Sequence, residues 1–318
     1  MHIPDGFLDT KTAVATAALA AAGLGVALRR ARLHFPSRRV PLLGLTAAFV
    51  FAAQMINFPV AGGTSGHLVG AVLAAALLGP SAAVIVISAV LIVQCLMFAD
   101  GGISALGANI FNMGIIGGTA GWAIYHVLSR KVGGLFGRVL AAAFAGWCST
   151  VIASVACAGE LATSRTVRFS VALPAMAGVH MLIGIGEGLI TALVVVAIAR
   201  TRPELIQSDA MAEPRRSYGT IAAYGGLIVL GLALFVSPLA SRWPDGLDRT
   251  AEVLGFKGKA VGPTVPAPMP DYEMPGVHWS TLGTSIAGAV GTLVVFALAW
   301  LLARALVSRG EHGPRGVP

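Results

Sequence analysis

The feature that most limits what this chain can become is a succession of long apolar runs, at roughly 12–28, 41–57, 68–79, 81–99, 104–128, 135–158, 172–199, 218–236 and 280–304. Most approach the ~20 residues that a helix needs to cross a bilayer. Lipid offers no hydrogen-bond partner to a peptide group, so runs of this kind must satisfy their own backbone as helices. Only 11% of the 318 residues are charged and 56% are apolar, whereas a soluble domain carries about a quarter charged residues. The fold class predicted is all-α: a polytopic transmembrane bundle of about nine segments, seven plus two. The 40 glycines suit close packing of membrane helices. The run 68–79 is short and follows the Gly-rich stretch Val60–His67. Residues 58–67 therefore read as a loop dipping into the bundle ahead of a short helix, because irregular backbone at membrane depth needs protein around it.

The net charge of +8 does not indicate nucleic acid, because the basic residues stand in short clusters between apolar runs. With the N-terminus outside, fifteen Lys and Arg fall on the cytoplasmic side and seven on the outer side, the bias that orients membrane proteins. Met1, His2, the 58–67 loop, Asp100 and a Pro/Gly-rich loop at 237–279 then share the outer face. Three regions are predicted: a transmembrane domain over 1–200, a polar cytoplasmic linker over 201–217, and a two-helix unit over 218–318 that carries the outer loop. That loop is expected to have little regular structure. Cys95, Cys148 and Cys157 show no paired spacing for a disulfide or zinc site. No positive n-region precedes the first run, and Arg29, Arg30 and Arg32 follow it as a stop-transfer flank. Met1 is expected to survive in the mature chain, since bulky His2 discourages its removal.

A free amine followed by His2 is a chelator. The Met1 amine and the Met1–His2 amide nitrogen close a five-membered ring with a metal ion, and the amide and His2 Nδ1 close a six-membered one. Three nitrogens then lie in one plane, an arrangement that suits nickel(II) or copper(II). A fourth donor is needed, and the His67 imidazole lies on a loop able to reach it. Met-His at a chain start and one loop histidine are each unremarkable alone; on one face of a transport-like bundle they acquire meaning.

Several polar residues sit inside or at the mouths of the runs. Glu187 and His180, seven residues apart, share a helix face. An ionisable group inside a span marks metal passage, helix association or a proton relay, and the alternative is a protonated Glu bonded to a neighbouring helix. Asn109 and Asn112 are candidates to orient His67 or to join helices, and Asn57, Gln54 and Gln94 read the same way. Asp100 is placed to attract cations. No G-x-x-x-x-G-K-[ST] phosphate loop is present in the sequence, so no ATP hydrolysis by that route is expected, and no nucleophile–base pair indicates an enzyme.

The opening Met1-His-Ile-Pro-Asp-Gly-Phe-Leu-Asp9 resembles the start of the CbiM/NikM family, nickel and cobalt substrate-specificity membrane subunits of energy-coupling-factor (ECF) transporters. Asn57–Leu68, Gln94…Gly114 and His180…Thr191 carry the same resemblance, which covers roughly residues 1–200. It implies a metal site formed by Met1, His2 and His67, with the N-terminal segment tucked into the bundle. It also implies a transmembrane coupling subunit and cytoplasmic ATPase subunits as partners in the inner membrane, with Ni2+ or Co2+ as the transported ion. Pro244-Asp-Gly-Leu-Asp248 and Pro268-Met-Pro-Asp-Tyr272 resemble the small companion subunit of nickel systems, fused here in one chain, with Asp248 where that family usually has Glu. This tilts the expectation toward nickel over cobalt. A proton-coupled secondary metal transporter that uses Glu187 and His180 is the rival reading.

Overall fold

The chain, as a computed structural model, is described for residues 1–206 and 218–308. Most of the expected linker, and Arg215, Arg216, Arg309 and Arg315 of the charge count, lie outside the described residues. The order is α1 (Thr10–His34), α2 (Val40–Met55), β1 (Phe58–Val60), β2 (Thr64–Gly66), α3 (Ala71–Leu78), α4 (Pro80–Phe98), α5 (Leu106–Asn109), α6 (Gly117–Val132), α7 (Gly134–Thr163), α8 (Phe169–Thr201), α9 (Tyr218–Gly231), α10 (Gly246–Val253) and α11 (Ser280–Ser308). A wider π-helical turn, Ile110–Ile116, joins α5 to α6. Among the described residues, six helices are long and apolar enough to cross a membrane: α1, α4, α7, α8, α9 with its extension to Leu239, and α11. The chain is a multi-pass membrane protein. Three of the expected segments fall outside that six, because α2 has 16 residues, α3 has 8, and the rod from Leu106 to Val132 is interrupted by the π turn.

Local chemistry sets the helix limits. Asp9 caps α1 by accepting from Thr12 N at 2.9 Å, which satisfies one of the orphan N–H groups of the first turn. Gly79 at φ 86° breaks the chain, and Pro80 then begins α4 where a missing N–H costs nothing. Helix α4 is apolar all round and buried along most of its length, as expected for the centre of a bundle. Helices α7 and α8 pack closely through small residues. A Cβ on Gly188 would stand 2.5 Å from the Ala143 carbonyl oxygen, so only glycine allows this approach.

The stretch read as an irregular loop is instead an antiparallel hairpin, with Phe58 opposite Gly66 and Val60 opposite Thr64. Gly62 and Gly63, at φ 85° and 72°, make its turn, a conformation that costs glycine little. Its second strand is covered by the chain before α10. Ser65 N donates to Pro244 O at 2.8 Å, and Ser65 Oγ donates to Trp243 O at 2.7 Å. The outer edge of the second strand is thereby covered beside the apolar bundle. The 237–279 loop is also more ordered than its composition implies. It contains α10, and Met269 N donates to Met97 O at 3.0 Å, while Tyr272 stacks on Phe98 with ring centroids 4.6 Å apart.

Candidate metal centre

Residues 1–9 fold back into the end of the bundle where the hairpin, the turn after α4 and the α10 loop meet. Ile3 and Phe7 are buried there and anchor the segment. Its backbone is held on both sides: Ile3 N donates to Asn109 Oδ1 at 2.8 Å, Asn109 Nδ2 to Ile3 O at 3.2 Å, and Gly102 N to Ile3 O at 2.9 Å. Asp5 accepts from Ser104 N at 2.8 Å, and Val261 N donates to Asp5 O at 3.0 Å. A side chain at Gly102 would collide with Asp5. These contacts bring the start of the chain to the end of the hairpin. Met1 N stands 2.9 Å from His67 Nε2, and the His2 and His67 rings stack with centroids 5.0 Å apart.

A backbone carbonyl sets the tautomer of His67. His67 Nδ1–H donates to Leu68 O at 3.0 Å, which leaves Nε2 bare and directed at the amine. His2 Nε2 faces Gln94 Oε1 at 3.1 Å; with the proton on Nε2, Nδ1 is the bare nitrogen, the atom a chelate with the Met1–His2 amide requires. That nitrogen faces Asp100 Oδ1 at 3.2 Å. Two acceptors this close need a positive centre between or beside them, a proton or a metal ion. Burial, reinforced by the charge of the amine, pushes both histidines down to about 3 from 6.5, so both are neutral and ready to ligate at neutral pH.

Asp245 is the participant that sequence reasoning did not assign to the site. It precedes α10, and its Oδ1 caps that helix by accepting from Asp248 N at 2.8 Å. Its Oδ2 accepts from Met1 N at 2.7 Å. Burial alone would raise this carboxyl, but the amine's charge and hydrogen bond, with the Asp248 N–H, hold it well below the usual carboxylate range. Donor atoms of His2, His67 and Asp245 lie within 4.8 Å of one another. Tyr272 of the same loop donates to Asp100 Oδ2 at 2.5 Å; burial first, then the Asp100 charge, raise the phenol well above its usual value. The signal available in the sequence was the Pro244-Asp-Gly turn on the face shared with Met1.

The other singled-out residues divide. Glu187 accepts from Val69 N at 2.5 Å and from Gly70 N at 3.0 Å, so it fastens the backbone that follows His67. His180 donates Nδ1–H to Met176 O at 2.8 Å. Its Nε2 faces Gly246, where a Cβ would stand 3.1 Å away, across a narrow gap also lined by Met1, His67 and Thr150. Asn109 holds Ile3 and does not bond to His67. Asn112 instead donates to Glu160 Oε2 at 2.7 Å. Asn57 meets the neighbourhood through its backbone, its carbonyl accepting from Ser241 N at 2.8 Å. Gln54 donates to Val69 O at 2.9 Å, on the same segment that Glu187 fastens.

Buried nitrogen and carboxylate donors thus gather at one end of a multi-pass helical membrane protein, close enough together to hold a metal ion. Similar proteins carry that further. The family described as CbiM, cobalt uptake substrate-specific transmembrane region, matches residues 2–205, and the PDGLE domain matches residues 219–308. A fused nickel transport protein, NikMN, of Archaeoglobus fulgidus is 40% identical over 96% of this chain and 98% of its own. Another of that name from Rhodobacter capsulatus is 33% identical over 93% of this chain and 95% of its own. A crystal structure of a truncated transition metal transporter, 36% identical, covers 63% of this chain and 99% of its own with a TM-score of 0.58. The chain belongs to the CbiM family of metal-uptake membrane proteins and carries a PDGLE domain in its C-terminal part.

Proposed function

We propose that this protein captures nickel as the substrate-binding membrane subunit of an ATP-driven ECF transporter. The ion is held by the Met1 amine, the His2 amide, His2 Nδ1 and His67 Nε2. One observation carries the reading. Adjacent nitrogens about 2 Å from one square-planar ion stand about 2.8 Å apart, and Met1 N and His67 Nε2 stand 2.9 Å apart. The amine loses its proton to ligate, and Asp245 beside it balances the incoming charge. Four planar nitrogens favour nickel over cobalt, in keeping with the full-length likeness to proteins named for nickel transport.

The N-terminus faces outside, α2 and the Leu106–Val132 rod also cross the inner membrane, and residues 1–200 and 218–318 act as the metal-binding and companion units. A transmembrane coupling subunit and cytoplasmic ATPases drive release inward. The rival secondary transporter needs Glu187 free to shuttle protons, whereas both its oxygens are engaged by Val69 and Gly70. The test inserts one residue between Met1 and His2, which leaves every other side chain in place and shifts the chelate. Nickel binding, read by competition with a chelator, is expected to be lost, and undiminished binding would refute the site.

A further inference from the structure

A second polar site lies on the other side of the N-terminal segment. A lateral cleft of about 770 Å³ opens between α1 and α7 and is lined by Thr12, Thr16, Phe111, Gly159, Glu160 and Thr163, with Asp9, Lys11 and Arg165 at its mouth. Two oxygens that belong to this cleft or back onto it have no partner among the described residues: Glu160 Oε1 and Asn112 Oδ1. Their residues are only 8% and 2% exposed. A buried acceptor without a donor costs about 1–3 kcal/mol, and two together, one a carboxylate, are a strong demand for something positive or proton-donating, with the Thr12 hydroxyl on the same wall. Asn112 Nδ2 is already given to Glu160 Oε2, which leaves the amide oxygen and the second carboxylate oxygen as the free pair. Lys11 and Arg165 are exposed at the rim, where solvent screens them.

We propose that this cleft is an oxygen-lined divalent-cation site, separate from the nitrogen site, at which a partly hydrated metal ion pauses on its way in. Carboxylate, amide and hydroxyl oxygens suit a hard or still-hydrated ion, whereas amine, amide nitrogen and imidazole suit nickel stripped of water. Both sites border the N-terminal segment, Asp9 lining the cleft and His2 belonging to the nitrogen site. Asn112 is three residues from Asn109, which grips Ile3 next to His2. The pausing role rests on the reading of Met1, His2 and His67 as the capture site; the existence of the oxygen site does not.

Manganese(II) prefers oxygen donors and binds nitrogen sites weakly, so it is the probe. Free Mn2+ is titrated against the purified full chain by electron paramagnetic resonance, and Ni2+ association is followed by stopped flow. Mn2+ binding is expected to survive His67→Ala and to weaken by about tenfold or more in Glu160→Gln. Thr12→Val, which keeps the shape and removes one oxygen, is expected to weaken it less and decides the matter should Glu160→Gln not fold. Ni2+ association slows in Glu160→Gln while its equilibrium affinity is unchanged. Mn2+ isotherms that coincide for wild type and both variants, as for a cleft filled with water or lipid, would overturn the site. An unchanged Ni2+ association rate would overturn the pausing role. Failure of the capture reading shows separately, as nickel binding that survives the residue inserted after Met1.

Discussion

Replacing Glu187 by Gln tests how a buried acid inside a helix governs a histidine it never touches. The carboxylate takes the N–H groups of Val69 and Gly70 at 2.5 and 3.0 Å, and His67 lies two residues earlier. Glutamine keeps the shape but offers one oxygen and one NH2, so one backbone N–H loses its acceptor and faces a donor. A hydrogen bond to a charged group contributes about 1.5–3 kcal/mol, which is about 10- to 150-fold in the equilibrium between fastened and open loop. Hydrogen exchange at the Val69 and Gly70 amides reads that equilibrium directly and is expected to accelerate. Nickel affinity falls by up to the same factor, in proportion to how far the open form becomes populated. Wild-type protection of both amides together with wild-type nickel affinity would show that Glu187 does not hold the His67 segment.

Asp245→Asn removes the charge that Met1 N meets and is expected to loosen the α10 loop by about 1.5–3 kcal/mol. Exchange at the Ser65 amide, which Pro244 O now protects, reports this, and an unchanged rate would count against the pair. Acidification is expected to release the N-terminal segment. His2 and His67 fall to about 3 in the docked state, so the opened state binds protons that the docked state refuses. Docking is therefore fully present above pH 6.5 and is lost as pH falls from there toward 3, by about 1.4 kcal/mol per histidine at one pH unit below 6.5. Asp100, raised by burial, opposes this as one group against two. Exchange at the Ile3 amide, compared between pH 7.5 and 5.5, checks the sign.

Much of the architecture was legible because the membrane demands it: apolar runs of spanning length can only be helices. Met1, His2 and His67 stood out because an amine next to an imidazole carries its chelate geometry in two consecutive residues. The rest depended on contacts far apart in sequence. Glu187 was visible as an anomaly in an apolar run, yet its partners lie 117 and 118 residues away, and no local pattern reveals them. Asp245 read as a turn residue before a short helix, which it is; that its second oxygen meets Met1 follows from tertiary packing. The hairpin at 58–66 was hidden because its glycines signal a turn without signalling strands. The cleft below Glu160 is made by the packing of α1 against α7, so composition could not foretell it.

The contact between Met1 and Asp245 joins the first residue to one 244 positions later. In a system with the two parts on separate polypeptides, a contact of this kind would depend on how much of each is made. Here it is intramolecular, set by an effective concentration fixed by covalent connection. Occupancy of the acid beside the amine is thus independent of expression level, and a weakened docking surface can persist at full occupancy until the connection between the two parts is cut.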